Sequence, residues 1–172
     1  MTNRKLSEYT TKEMLELENL ASEKYGVSTD QMMQMAGRSI YDFVAGELPG
    51  VKRVLVVAGK GNNGGDVLVA VDLLAMSGYE VTALRAEETF PNDFDFSRFD
   101  LIIDGLFGFS LRGNPRPPMD KIITLALGMP KRGLAENPEY AGKVYLGNLG
   151  IPAEVYREKG IDAPDFLERN YI

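Results

Sequence analysis

Between Val54 and Asp66 the chain reads Val-Leu-Val-Val-Ala-Gly-Lys-Gly-Asn-Asn-Gly-Gly-Asp, a run whose residue types suit the binding of an anion. Its apolar, mostly β-branched start predicts a buried strand. Four glycines and two asparagines then fall within the seven positions 59 to 65, before the pattern resumes as an apolar-periodic helix. A strand that ends in a glycine-rich turn and opens a helix can cradle phosphate. Missing side chains let the backbone approach the oxygens, and the first N–H groups of the helix point at them. Gly59-x-Gly61-x-x-Gly64 also has the spacing of the dinucleotide fingerprint. Such triplets arise by chance in turns; the placement between strand and helix gives this one its weight. Lys60 adds positive charge beside the glycines. Asp66 has two readings, a cap for the helix that begins at the glycines or a base, and the dipole and free N–H groups favour the cap.

The rest of the chain narrows the chemistry. It has no histidine and no cysteine, so any proton transfer must use Asp, Glu, Lys, Tyr, Ser, Thr or the backbone. A second glycine-bearing loop, Gly105-Leu-Phe-Gly108-Phe109-Ser110-Leu111-Arg112-Gly113, follows the apolar run Phe99–Asp104. Asp104 would lie at a strand's carboxyl end, either as an ion ligand or as a hydrogen-bond acceptor for its own loop. Arg112 either meets a phosphate or is a solvated arginine on the rim. Both loops are expected on one edge, because ligands of open α/β sheets sit outside the carboxyl ends of the strands. A formal net charge of −6 argues against nucleic acid as the main partner. No apolar run reaches the length of a membrane span and the N-terminus lacks a signal-peptide core, so a cytoplasmic protein is expected.

These residues need a scaffold, and the pattern supplies one. At 172 residues with 44% apolar content, one globular domain over residues 1–172 is expected. Thr10-Thr-Lys-Glu13 and Ser28-Thr-Asp-Gln31 are capping boxes opening two N-terminal helices, the first stopped by Gly26. Met14, Met32, Met33 and Met35 read as adaptable core filler. Gly37 costs about 1 kcal/mol inside a helix, which points to a neighbour packed closely there. Strands are predicted over 51–58, 80–85, 99–104, 121–127 and 142–146, with a short helix over 153–159 and a polar tail. The sum is α/β: a three-layer, mostly parallel sheet with two N-terminal helices, the first two strands and their helix forming one right-handed βαβ unit.

Several ordered motifs then resemble a known family. Met35-Ala-Gly37, Gly61-Asn-Asn-Gly-Gly-Asp66, Asp104-Gly-Leu-Phe-Gly108, Leu111-Arg-Gly113, Gly128-Met-Pro-Lys131-Arg-Gly-Leu134, Ala141-Gly-Lys-Val and Leu149-Gly-Ile-Pro152 recur in this order in NAD(P)H-hydrate epimerases, the YjeF N-terminal domain family. The resemblance runs from about Met14 to Pro152. It implies a Rossmann-like fold and an isomerase that interconverts the R and S forms of hydrated NADH or NADPH, a metabolite repair. It also implies functional coupling to a dehydratase that accepts one epimer, a bound potassium ion and a homodimer. Carried over by position, Asn62, Asn63, Gly64, Gly65 and Asp66 would contact the nucleotide. Gly108, Phe109, Ser110, Leu111, Arg112 and Gly113 would wrap the phosphates. Asn63 and Asp104 would hold the potassium, and both offer the oxygen donors a hard cation prefers.

The chain also departs from the family. Between the Leu-Arg-Gly loop and the Gly-x-x-Lys turn, members carry several dozen further residues, including an Asp-Ile-Pro-Ser-Gly strand end whose Asp is the acid/base and whose Ser completes the cation site. Here Pro118 runs almost directly into Lys121-Ile-Ile-Thr-Leu, and no Asp-x-Pro-Ser-Gly occurs. Lys60 replaces the family's usual proline, and Val67 its usual glycine. The catalytic residue is therefore unassigned, with Asp66, Asp104, Asp120 and Lys131 as substitutes. Three functions follow: an epimerase with a non-standard base; a nucleotide-binding or dimerisation module without turnover; and, ranked last, an ordinary dehydrogenase, for which Arg85 and Glu87 leave the ribose-binding acid ambiguous. The shortening predicts a reduced number of strands, with Lys121–Leu127 moving beside the strand that ends at Asp104.

Overall fold

In the computed structural model, residues 9–85, 94–106, 123–130, 134 and 142–172 are described. Two helices form where a side chain replaces the missing partner of the first turn. Helix α1 (Thr11–Tyr25) is capped by Thr10, whose hydroxyl accepts the Glu13 N–H at 3.2 Å while the Glu13 carboxylate accepts the Thr10 N–H at 2.8 Å. It ends at Gly26, held in the left-handed region at φ 70°. Helix α2 (Thr29–Glu47) repeats the device: Ser28 Oγ accepts the Gln31 N–H at 3.2 Å and Gln31 Oε1 accepts the Ser28 N–H at 2.8 Å.

The chain divides into two compact units, one of them Met33–Arg112. In it β1 (Arg53–Ala58) lies between β2 (Glu80–Arg85) and β3 (Leu101–Gly105), both parallel to it. As the central strand β1 needs apolar side chains on both faces, and Val54 to Ala58 are all buried. Helix α3 (Asn62–Met76) connects β1 to β2 and packs on all three strands through Val67, Ala70 and Leu74. At the amino end of the sheet the Asp100 carboxylate accepts the backbone N–H groups of Lys52 and Arg53 at 3.1 and 2.9 Å and the Arg53 guanidinium at 2.6 Å. Within this unit α2 meets α3 at three points that advance along both helices. The Met33 thioether lies against Gly65, Gly37 against Val69, and the Tyr41 hydroxyl accepts the Ser77 hydroxyl at 3.0 Å. The close neighbour expected at Gly37 is therefore Val69.

The other unit comprises Met1–Met32 and Gly113–Ile172. It contains α1, a parallel pair β4 (Ile123–Leu127) and β5 (Lys143–Gly147), and the short helix α4 (Ala153–Glu158). Met14, Leu17, Ala126, Met129, Leu146 and Val155 are buried. Gly128 is a glycine for two reasons: its φ is 79°, and an added Cβ would come within 2.5 Å of the Met14 methyl. Ion pairs from Lys24 to Glu158 and from Lys159 to Glu16, the latter at 3.0 Å, tie α4 to α1.

Two expectations need correction. The strand 123–127 pairs with β5 and not, as expected, with β3. The tail is also more than a polar end. Leu146 and Ile172 exchange backbone hydrogen bonds at 2.8 Å in both directions, and Tyr171 is buried in an antiparallel bridge to Gly147. Among the described residues this adds a partner to β5 besides β4.

Candidate nucleotide site

The candidate site grows from the carboxyl end of β1. Gly59 donates its N–H to the Gly105 carbonyl at 3.0 Å, which joins the turn to the end of β3. A Cβ on Gly59 would come within 2.7 Å of the Leu106 carbonyl oxygen, and one on Gly64 within 2.0 Å of the Gly59 oxygen. Turn and helix start are thus in backbone contact, and only glycine fits at either place. Gly61 differs, since nothing lies within 4 Å of a Cβ there. It is the N-cap of α3 at φ −92°, a conformation open to any residue, and it makes no side-chain cap hydrogen bond. Asn62, Asn63 and Gly64 form the first turn, with no acid among them.

That corrects the reading of Asp66. Since α3 starts at Asn62, Asp66 falls in the second turn, past the N–H groups a cap would serve, and the helix begins without a carboxylate. Asp104 behaves as a loop acceptor: its Oδ1 takes the Leu106 N–H at 2.8 Å. The next residue, Gly105, packs against the start of α3: a Cβ on it would lie 3.1 Å from the Asn63 carbonyl oxygen and 2.4 Å from a Val67 methyl. Gly105 opens the second glycine-bearing loop of the sequence, but its packing against α3 was not legible there. Asn63 and Asp104 thus come from adjacent points of one rim. Amide, carboxylate and carbonyl oxygens there are donors that fit a hard monovalent cation. Among the described residues no group of three or more Asp, Glu, His or Cys could hold a metal by itself.

The rim is ordered in charge. Ala58 is in register with Arg85 on one side and with Gly105, next to Asp104, on the other. Arg85, Lys60 and Asp104 therefore stand at the ends of β2, β1 and β3, and Lys60 and Arg85 are exposed. Gly108 to Gly113, Asp120 and Lys131 lie outside the described residues. Among the described residues no helix is long and apolar enough to cross a membrane.

Comparison with known proteins bears on this geometry. The family described as YjeF-related protein N-terminus matches residues 29–95, which take in α2, β1, the glycine turn, α3 and β2. The NAD(P)H-hydrate epimerase of Plasmodium vivax is 30% identical, over 88% of this chain and 72% of that protein. The chain belongs to the NAD(P)H-hydrate epimerase family. A second relative in it, the bifunctional NAD(P)H-hydrate repair enzyme Nnr of Hyperthermus butylicus, is 31% identical over 78% of this chain and 37% of that protein. The crystal structure of yeast ynu0 superposes with a TM-score of 0.76 at 21% identity, covering 97% of this chain and 99% of that one, which establishes the shared fold. The P. vivax alignment runs over 210 positions against the 172 residues of this family member, so that relative holds residues within it that are missing here.

Proposed function

We propose that this chain is an NAD(P)H-hydrate epimerase, interconverting the R and S forms of hydrated NADH and NADPH in a repair of damaged dinucleotide. The observation that carries the reading is the union of family membership with the glycine turn: β1 ends in backbone that a phosphate can approach, and α3 opens there without a side-chain cap. Asn62, Asn63, Gly64, Gly65 and Asp66 contact the nucleotide, and the family resemblance assigns its phosphates to Gly108–Gly113, which lie outside the described residues. Asn63 and Asp104 hold a potassium ion, which when bound supplies positive charge beside the substrate. With Asp104 given to the cation, Asp66 moves the proton in place of the family's Asp-x-Pro-Ser-Gly aspartate. Family resemblance further supports a homodimer, and the bifunctional relative supports work alongside a dehydratase.

The test is epimer interconversion followed by NMR, with and without potassium, for the wild type, Asp66→Asn and Asp104→Asn. Potassium-dependent interconversion is expected, abolished by Asp66→Asn and made indifferent to potassium by Asp104→Asn. NADPH binding by calorimetry with no interconversion under any condition would overturn the reading in favour of a nucleotide-sensing module.

A further inference from the structure

The glycine turn accepts a dinucleotide without saying which one, and the strand beside it is more selective. Arg85 is the last residue of β2 and is in register with Ala58, the residue before the turn. With the strands ordered β2-β1-β3, Arg85 stands one strand to one side of the turn and Asp104 one strand to the other. The spacing between neighbouring strands is about 4.8 Å, so both lie within reach of one extended ligand. In a βαβ dinucleotide site, the end of the second strand lies at the adenosine ribose, about 20 residues past the glycines. A carboxylate there accepts the 2′-hydroxyl and repels a 2′-phosphate, whereas an arginine accommodates the phosphate. Arg85 follows Gly64 by 21 positions. The carboxyl ends of β1 and β2 carry Lys60 and Arg85, both cationic.

We infer that Arg85 reads the 2′-phosphate and makes this chain prefer hydrated NADPH over hydrated NADH. The inference rests on the epimerase reading above. A guanidinium stays charged throughout the working pH range and offers paired donors to phosphate oxygens, which a lysine ammonium does not. The adenosine end then lies over β2, and the hydrated ring extends toward β3 and Asp104.

The test measures KM and kcat on each hydrated dinucleotide, with the NADPH to NADH binding ratio from calorimetry. The variants are Arg85→Ala, Arg85→Asp and Lys52→Ala, the last at the amino end of the sheet, away from the rim. In the wild type the KM for the phosphorylated substrate should be lower by about tenfold or more, the scale of a charge-assisted contact. Arg85→Ala should bring the ratio near one, mainly by raising that KM with kcat little changed. Arg85→Asp should invert it, and Lys52→Ala should preserve it. A wild-type ratio near one, or a ratio that survives in Arg85→Ala, overturns the role of Arg85 and leaves the epimerase reading standing. Absence of turnover on both substrates overturns the epimerase reading instead, and the calorimetric ratio then judges Arg85 by the same criterion.

Discussion

Gly59, Gly61 and Gly64 share one fingerprint spacing, but a side chain would meet something different at each. At Gly64 a Cβ would lie 2.0 Å from the Gly59 oxygen, a backbone atom that cannot swing aside. Alanine is the better helix former by about 1 kcal/mol, yet overpacking costs roughly 1–3 kcal/mol, so the clash wins. Gly64→Ala should lower stability in urea unfolding and weaken NADPH binding together. At Gly61 the Cβ has open space and φ is −92°, so the fold does not demand glycine there. Gly61→Ala should change the melting temperature little, alanine's poorer N-cap preference offsetting its gain against the unfolded chain, while weakening NADPH binding. Equal binding by Gly61→Ala and the wild type would remove this position from the site. Asp100 makes the opposite kind of contribution. The Arg53 guanidinium, with the backbone N–H groups of Arg53 and Lys52, holds its carboxyl well below the ordinary carboxylate range. A depressed folded-state value means stability that is present above the unfolded-state value and lost as pH falls through the folded one. Asp100→Asn should therefore be less stable than the wild type at pH 7, and the gap should narrow as pH drops below about 4. A gap equally wide at pH 7 and pH 3 would show that Asp100 does not act through its charge.

The elements were legible in proportion to how local their causes are. Both capping boxes, the Gly26 stop and strand β2 form where periodicity and turn chemistry place them, since each depends on neighbours a few residues away. Asp66 was misread because the boundary of α3 runs through Gly-Asn-Asn-Gly-Gly, residues of poor helix propensity that hide where the helix starts. Strand pairing was the harder failure. Ile-Thr-Leu-Ala-Leu reads the same beside β3 or beside β5, and the choice is made by contacts distant in sequence. The burial of Tyr171 escaped for a similar reason, being a single bridge after a polar stretch. Helix packing, by contrast, left a trace in Gly37, whose Cβ would lie 2.4 Å from the Cβ and a methyl of Val69. Gly37→Ala should gain about 1 kcal/mol in propensity and lose roughly 1–3 kcal/mol in overpacking, a net destabilisation measurable by urea unfolding. Val69→Gly removes both atoms in conflict, so the pair should be less unstable than the sum of its parts by about 0.5–3 kcal/mol. Simple additivity would mean that α2 and α3 part easily at this point.

On the scale of the whole molecule, a net charge of −6 opposes the approach of an anionic dinucleotide. Added salt of any kind screens that repulsion over a Debye length of about 10 Å at 0.1 M, and it weakens exposed contacts such as those of Lys60 and Arg85 as well. A rise in rate on adding potassium chloride therefore does not by itself identify a cation site. The distinction lies in holding ionic strength constant. Asn63, in the first turn of α3, and Asp104, near the end of β3, offer oxygen donors whose preference depends on ion size and dehydration, whereas screening depends on charge alone. Epimerisation measured at one ionic strength in potassium, sodium and choline chloride should be fastest in potassium and slowest in choline. Asp104→Asn, which keeps an oxygen there and removes the charge, should flatten the series. Equal rates in the three salts would reduce the cation effect to screening and take Asn63 and Asp104 out of the site.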